Sequence, residues 1–145
     1  MIKDKQLTKN FKLSEFIESK FFDTETQARV KMLYFETQSV QDNIQILANQ
    51  LQNLRDYLCM LQGRDVIIKV NIAYRPVFYE HAKGRSGKSK HTLGMAGDIT
   101  AQGLTPKYVA AKIEELIEVG EMIEGGLSAY RTFVHYDTRI EKARW

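Results

Sequence analysis

The chain is expected to fold as a single α+β domain spanning residues 1–145, and three observations carry that expectation. Apolar residues recur at helical spacing through much of the first half. Short runs rich in β-branched residues, bounded by glycine or proline, occupy the second half. Helices come first and strands later, which favours helices packed on a small antiparallel sheet over alternating βαβ units. At 145 residues the chain is one ordinary domain in length and can bury a core. No repeat, linker or low-complexity tail interrupts it.

The elements follow in order. Leu13-Ser14-Glu15-Phe16-Ile17 reads as a short helix start, with Ser14 as its N-cap and Glu15 and Glu18 suited to the positive end of the helix dipole. Between Phe21 and Thr37 the pattern is weaker. Thr24, Thr26, Gln27 and Arg29 resemble a loop, and Val30 to Phe35 reads equally as helix or extended chain. From Ser39 to Leu61, Val40, Ile44, Leu47, Leu51, Leu54, Leu58 and Leu61 alternate spacings of four and three, one face of a long amphipathic helix, with Gly63 behind it as a C-cap. Val66 to Ile72 reads as a strand that stops at Tyr74-Arg75-Pro76. A polar loop follows, holding His81, expected to be solvent-exposed, and Lys83, Arg85, Lys88 and Lys90. A solvated loop is its ordinary reading, and a rim attracting carboxylates is its functional one. Met95 to Thr100 reads as a strand. Thr105-Pro106 opens a helix running to about Val119, and Gly125-Gly126 turns into two strands, Leu127 to Tyr130 and Thr132 to Thr138.

Composition bounds the function classes. A net charge of +3 is slight, so nothing here argues for a nucleic-acid binder. Cys59 is the single cysteine, which excludes an intramolecular disulfide and a thiolate-rich metal site. It lies in an apolar helical stretch and is expected to be a small buried hydrophobe. The first residues, Met1 to Gln6, place charge where a signal peptide needs an apolar run, and no segment approaches membrane-spanning length. The expectation is a monomer synthesised in the cytoplasm, with no membrane and no nucleic-acid partner. A substrate outside the cell would then be met after release or delivery, for instance on a virion.

The chemistry concentrates in Ser89-x-His91-x-x-Gly94-x-Ala96-x-Asp98 and, much later, His135-x-Asp137. Two imidazoles and a carboxylate make a three-ligand zinc set that leaves a fourth position for a water. Strand alternation puts His135 and Asp137 on one face and Val134 and Tyr136 on the other. Buried groups of that kind are costly unless they bind something. Each residue also has an ordinary reading: a solvated loop histidine, a strand-end cap and a hydrogen-bonded core histidine. Spacing alone leaves both readings open.

The same residues resemble the M15 family of zinc peptidases, the D-alanyl-D-alanine carboxypeptidase or hedgehog-like fold. The likeness extends to Asn10-Phe11-Lys12-Leu13-Ser14-Glu15-Phe16, Tyr74-Arg75, Gly125-Gly126-Leu127, Phe133-Val134-His135-Tyr136-Asp137-Thr138 and the terminal Trp145, in the right order along most of the chain. It implies a zinc metallopeptidase cutting peptidoglycan stem peptides, as carboxypeptidase or endopeptidase, of the kind common as small bacteriophage lysins. His91, Asp98 and His135 would hold one zinc ion. Arg75 would face a substrate carboxylate or carbonyl, its ordinary alternative being a surface salt bridge. Ser89 would bond within the site or to substrate, and a simple loop cap is the alternative.

Two departures from that family stand out. Some members carry an acid three residues before the last zinc histidine, where this chain has Thr132. Others carry a histidine two residues before it, where this chain has Phe133. Neither residue can act as a base. Asp137 is then the candidate base, its alternative being to orient a ligand, and a register with Asp137 as ligand and His135 as base ranks below both. The other departure is Ile72-Ala73 in place of the Ser-Gly usual before Tyr-Arg, a change expected to reshape the pocket near Arg75. The fold could also persist as a catalytically silent zinc-containing binding or virion-structural module.

Overall fold

The apolar stripe between Ser39 and Leu61 forms the spine of the domain in the computed structural model, which describes residues 4–145. The first three residues of the N-terminal stretch read above lie outside the described residues. Helix α3 (Gln38–Gln62) buries Val40, Ile44, Leu47, Leu51, Leu54 and Leu58, each contributing roughly 1.5–3 kcal/mol of transfer free energy. The buried stripe ends at Leu58, three residues before the Leu61 its spacing suggests, because Leu61 turns outward in the last turn. Gly63 closes the helix in the left-handed conformation at φ 65°, donating its N–H to the Cys59 carbonyl.

Three N-terminal and linking segments differ from expectation. Ser14 is the first residue of α1 (Ser14–Ile17) rather than its cap, and its hydroxyl and N–H both bond the Asp4 carboxylate instead. The ambiguous segment is one helix, α2 (Thr24–Glu36), started by Asp23, whose carboxylate accepts the Thr26 N–H. Its polar sequence hides the helix because only Val30 and Tyr34 are buried, a face too narrow to show a period. Val77–Ala82 forms a short helix, α4, inside what reads as loop, and His81 on it is exposed as expected. Cys59 is half-buried, its sulfur accepting the Val66 N–H.

The strands are β1 (Ile68–Ile72), β2 (Ala96–Ala101), β3 (Gly126–Ala129), β4 (Val134–Asp137) and β5 (Ala143–Arg144), ordered β1-β2-β4-β3-β5. Four pair antiparallel, but β5 joins β3 in parallel, so the sheet is mixed rather than purely antiparallel. A two-residue strand carries no readable alternation, which is why β5 escapes the sequence. Helix α5 (Pro106–Glu118), capped by the Thr105 hydroxyl on the Tyr108 N–H, packs Val109, Ile113 and Leu116 into the core.

Alternation then divides the sheet. Ile99, Leu127, Val134 and Tyr136 enter the core shared with α3 and α5, while Asp98, His135 and Asp137 share the opposite face. That face carries the chemistry.

Candidate metal centre

Asp98 and His135 are directly opposite one another across β2 and β4, so the pairing itself brings carboxylate and imidazole together. His91 arrives from a one-turn 3₁₀ helix, Lys90–Leu93, capped by the Ser89 hydroxyl on the His91 N–H. That turn closes on Gly94 at φ 74°, where a side chain would press on Val40 of α3. It is fastened to the Tyr74-Arg75 segment by the Arg75 N–H donating to the His91 carbonyl. All three side chains are buried, and their ligand atoms lie within 4.8 Å of one another.

The proton inventory says what these atoms can do. His91 Nδ1 is 2.7 Å from the Ala73 carbonyl, which can only accept, so that nitrogen carries the hydrogen in neutral imidazole. His135 Nε2 is 2.7 Å from Asp137 Oδ2 and donates to it. The remaining nitrogens, His91 Nε2 and His135 Nδ1, therefore aim lone pairs at Asp98 Oδ1 from 3.2 and 3.3 Å. Three acceptor atoms converge, and Asp98 Oδ1 is a buried oxygen without a hydrogen-bond partner. Ligand atoms about 2.0–2.1 Å from a tetrahedral ion lie roughly 3.3 Å apart, so the two separations fit one. A buried His-Asp-His triad that can hold a metal ion is thus present.

The surrounding charges favour the deprotonated carboxylates. Burial opposes ionisation of Asp98, but the two imidazoles beside it prevail and hold its carboxyl below the usual carboxylate range. Burial likewise opposes ionisation of Asp137, and His135 and Arg139 override it in the same direction. His135 is pushed up from the ordinary histidine value, because the carboxylates of Asp137 and Asp98 outweigh the burial that disfavours its charge.

Asp137 occupies a different place from the one a base requires. It is fully buried behind His135 and does not line the cleft. Its Oδ1 accepts the N–H of Gly126 and the Nε–H of Arg139, and its Oδ2 accepts from His135 and from Arg139 Nη2 at 2.7 Å each. With its lone pairs so occupied it holds the His135 ring, and the expected general-base role does not fit its position. Nor does the register in which Asp137 ligates and His135 is the base fit, because both Asp137 oxygens face Gly126, His135 and Arg139. Room for the carboxylate comes from Gly126, where a Cβ would overlap it.

A cleft of about 530 Å³ opens over the triad, bordered by Arg75, Ser89, Lys88 and Lys90 on one side and by Tyr130, Arg139 and Trp145 on the other. Arg75 and Ser89 both line this cleft, and both also make the contacts of their alternative readings, an ion pair with Glu80 and a cap on the His91 N–H. Arg75 is tied by Nη2 to the buried Glu80 at 3.4 Å, and its Nε is buried without a partner. The Trp145 ring lies 4.9 Å from His135 and donates its Nε1–H to the Tyr130 hydroxyl, while Tyr130 stacks on Phe133. Glu80, Tyr130 and Arg139 went unread in the sequence. Only Arg139 had a signal, because strand alternation continued two residues past Asp137 puts it on the same face. No family model, curated protein or solved structure matches the chain.

Proposed function

We propose that the chain is a zinc metallopeptidase of the hedgehog-like, D-alanyl-D-alanine carboxypeptidase kind, hydrolysing peptide bonds of peptidoglycan stem peptides. The observation that carries the reading is the convergence of two imidazole lone pairs on an unpartnered buried carboxylate oxygen, at separations suited to a tetrahedral ion. The donor set, two nitrogens and one oxygen without thiolate, suits zinc and leaves one position open. The sequence motifs around it add the substrate class by resemblance.

His91, Asp98 and His135 would hold the ion, with the Ala73 carbonyl and Asp137 keeping the two rings in the required tautomer. Zinc so held supplies Lewis acidity, acidifying a water and polarising a carbonyl. Arg75, restrained by Glu80 beside the triad, offers N–H donors to the carbonyl oxygen as its charge grows. Water adds to the carbonyl carbon, the C–N bond breaks, and the leaving amine takes up the proton the water gave. Among the described residues, Asp98 carries the one side-chain carboxylate that lines the cleft. A fixed base contributes about 10²–10⁴-fold, so turnover is expected to be slower by that order than with a base in place.

The same observation favours a second reading, a zinc-containing binding or virion-structural module without turnover. The deciding experiment measures metal content and digests peptidoglycan, with muropeptides analysed by mass spectrometry. The peptidase reading expects about one zinc per chain and new muropeptide ends, both lost in His91→Ala. Undiminished lysis by that variant or by metal-stripped protein would overturn it, and zinc binding with no cleavage would favour the module.

A further inference from the structure

Arg75 follows β1 into the cleft, and what holds it there lies outside the triad. Helix α4 ends in a reversal built on two bonds, the Gly84 N–H to the His81 carbonyl and the Arg85 N–H to the Glu80 carbonyl, at 3.0 and 2.9 Å. Gly84 permits the turn at φ 76°, in the left-handed region. A reversal of this kind lays the residue after the glycine against the third residue from the helix end, a contact that is commonly apolar. Here it is an ion pair. Arg85 Nη1 donates to Glu80 Oε2 at 2.6 Å, with Glu80 buried and Arg85 exposed.

Arg75 takes what is left. Its Nη2 lies 3.4 Å from Glu80 Oε1, and its buried Nε–H has no acceptor among the described residues. A guanidinium beside a carboxylate ordinarily closes a two-bond fork, which would satisfy the Nε–H and Nη2–H together. Arg85 occupies one of the two oxygens that fork needs. We propose that Arg85 is a positioning residue: its hold on Glu80 Oε2 keeps Arg75 from forking onto Glu80, so that the Arg75 guanidinium stays along the cleft it lines. The arrangement of the two arginines stands without the peptidase reading, while its effect on turnover rests on that reading.

The test follows the Arg75 Nε–H resonance of the full chain by proton–nitrogen NMR, identified as the signal missing from Arg75→Lys. In Arg85→Met, which keeps the stem and removes the donors, that resonance should move downfield, as a proton newly bonded to a carboxylate does. Arg85→Lys, which keeps a cation against Glu80, should return it toward its position in the unaltered chain. Lys83→Ala removes a neighbouring charge that lies over the Tyr79 ring, and should leave it unmoved. On muropeptides, with zinc bound, Arg85→Met should lower kcat about tenfold with KM within about twofold, because a donor to the growing charge on the carbonyl oxygen is withdrawn. An Arg75 resonance unmoved in Arg85→Met, or moved equally in Lys83→Ala, would overturn the proposal. A downfield move with no cleavage by the unaltered chain would support it and overturn the peptidase reading. Cleavage by the unaltered chain at a kcat that Arg85→Met leaves intact would do the reverse.

Discussion

The two histidines of the triad are held by different kinds of wall. His135 stands in the middle of the sheet, and its far nitrogen is gripped by Asp137, which is gripped in turn by Arg139 and the Gly126 N–H. His91 stands on a single 3₁₀ turn, and its far nitrogen is gripped by the backbone carbonyl of Ala73. The sheet wall depends on a chain of charged side chains that one substitution or a pH change can dissolve. The turn wall depends on backbone placement, which only a change in the fold can disturb. Equal ligands therefore have unequal vulnerabilities.

The largest expected effect treats the walls alike. His91→Ala and His135→Ala should each reduce bound metal from about one ion per chain to a trace, measured by elemental analysis after dialysis. Stoichiometric metal in either variant would remove the triad from consideration. The comparison separates at the next step. Asp137→Asn keeps an oxygen for the His135 hydrogen but loses the charge that meets Arg139, and should weaken metal binding about 10–100-fold. No side-chain replacement can do the same to His91, because its partner is main chain. Metal affinity unchanged in Asp137→Asn, by competition with a chelator, would show that the sheet wall does not rest on charge.

What the sequence made legible divides along the same line. Helix α3, the capped helix α5 and the strands bearing Asp98 and His135 were readable because period and caps are local properties. Helices α2 and α4 were not, since each buries too few side chains to impress a pattern on its sequence. The ligand types were readable in their motif. The supports were not, because the Ala73 carbonyl meets His91 across 18 residues of chain, and Glu80 meets Arg75 only once α4 folds back beside it. Asp137 shows the limit best: alternation places it correctly on the face of His135, but only the pairing with Gly126 and Arg139 shows it turned away from the cleft.

Acidity should act on the charged wall first. The raised His135 stabilises the metal-free chain fully below the ordinary histidine value of 6.5, and that contribution is lost as pH rises through its raised folded value. Asp98 and Asp137, both held low, stabilise above the ordinary value of 3.8 and lose this only as pH falls through their depressed folded values. The metal-free protein is thus favoured between these limits. Zinc binding requires the proton on His135 to leave, so affinity should fall about tenfold per unit below the raised value. Thermal melts with and without zinc, from about pH 5 to 8, should show a zinc-dependent upshift that grows with pH. An upshift independent of pH would contradict the assignment of the proton.

The turn wall should yield only to backbone strain. Gly94→Ala forces a side chain into the left-handed region and against Val40, costing about 1–2 kcal/mol in denaturant melts and displacing His91 with it. Metal affinity should therefore fall together with stability, in contrast to Asp137→Asn, where affinity falls further than stability.

The smallest effect sets the baseline for both walls. Thr105→Ala removes the hydroxyl that caps α5 on the side of the sheet away from the triad, and should cost about 1 kcal/mol of stability. Because α5 packs on the core face through Val109 and Ile113, its loss reaches neither Asp98 nor His135. Metal affinity should stay within twofold of the unaltered chain, about 0.4 kcal/mol. A larger fall would mean that general loosening of the sheet lowers affinity, and the Asp137→Asn result would then no longer isolate the charge behind His135.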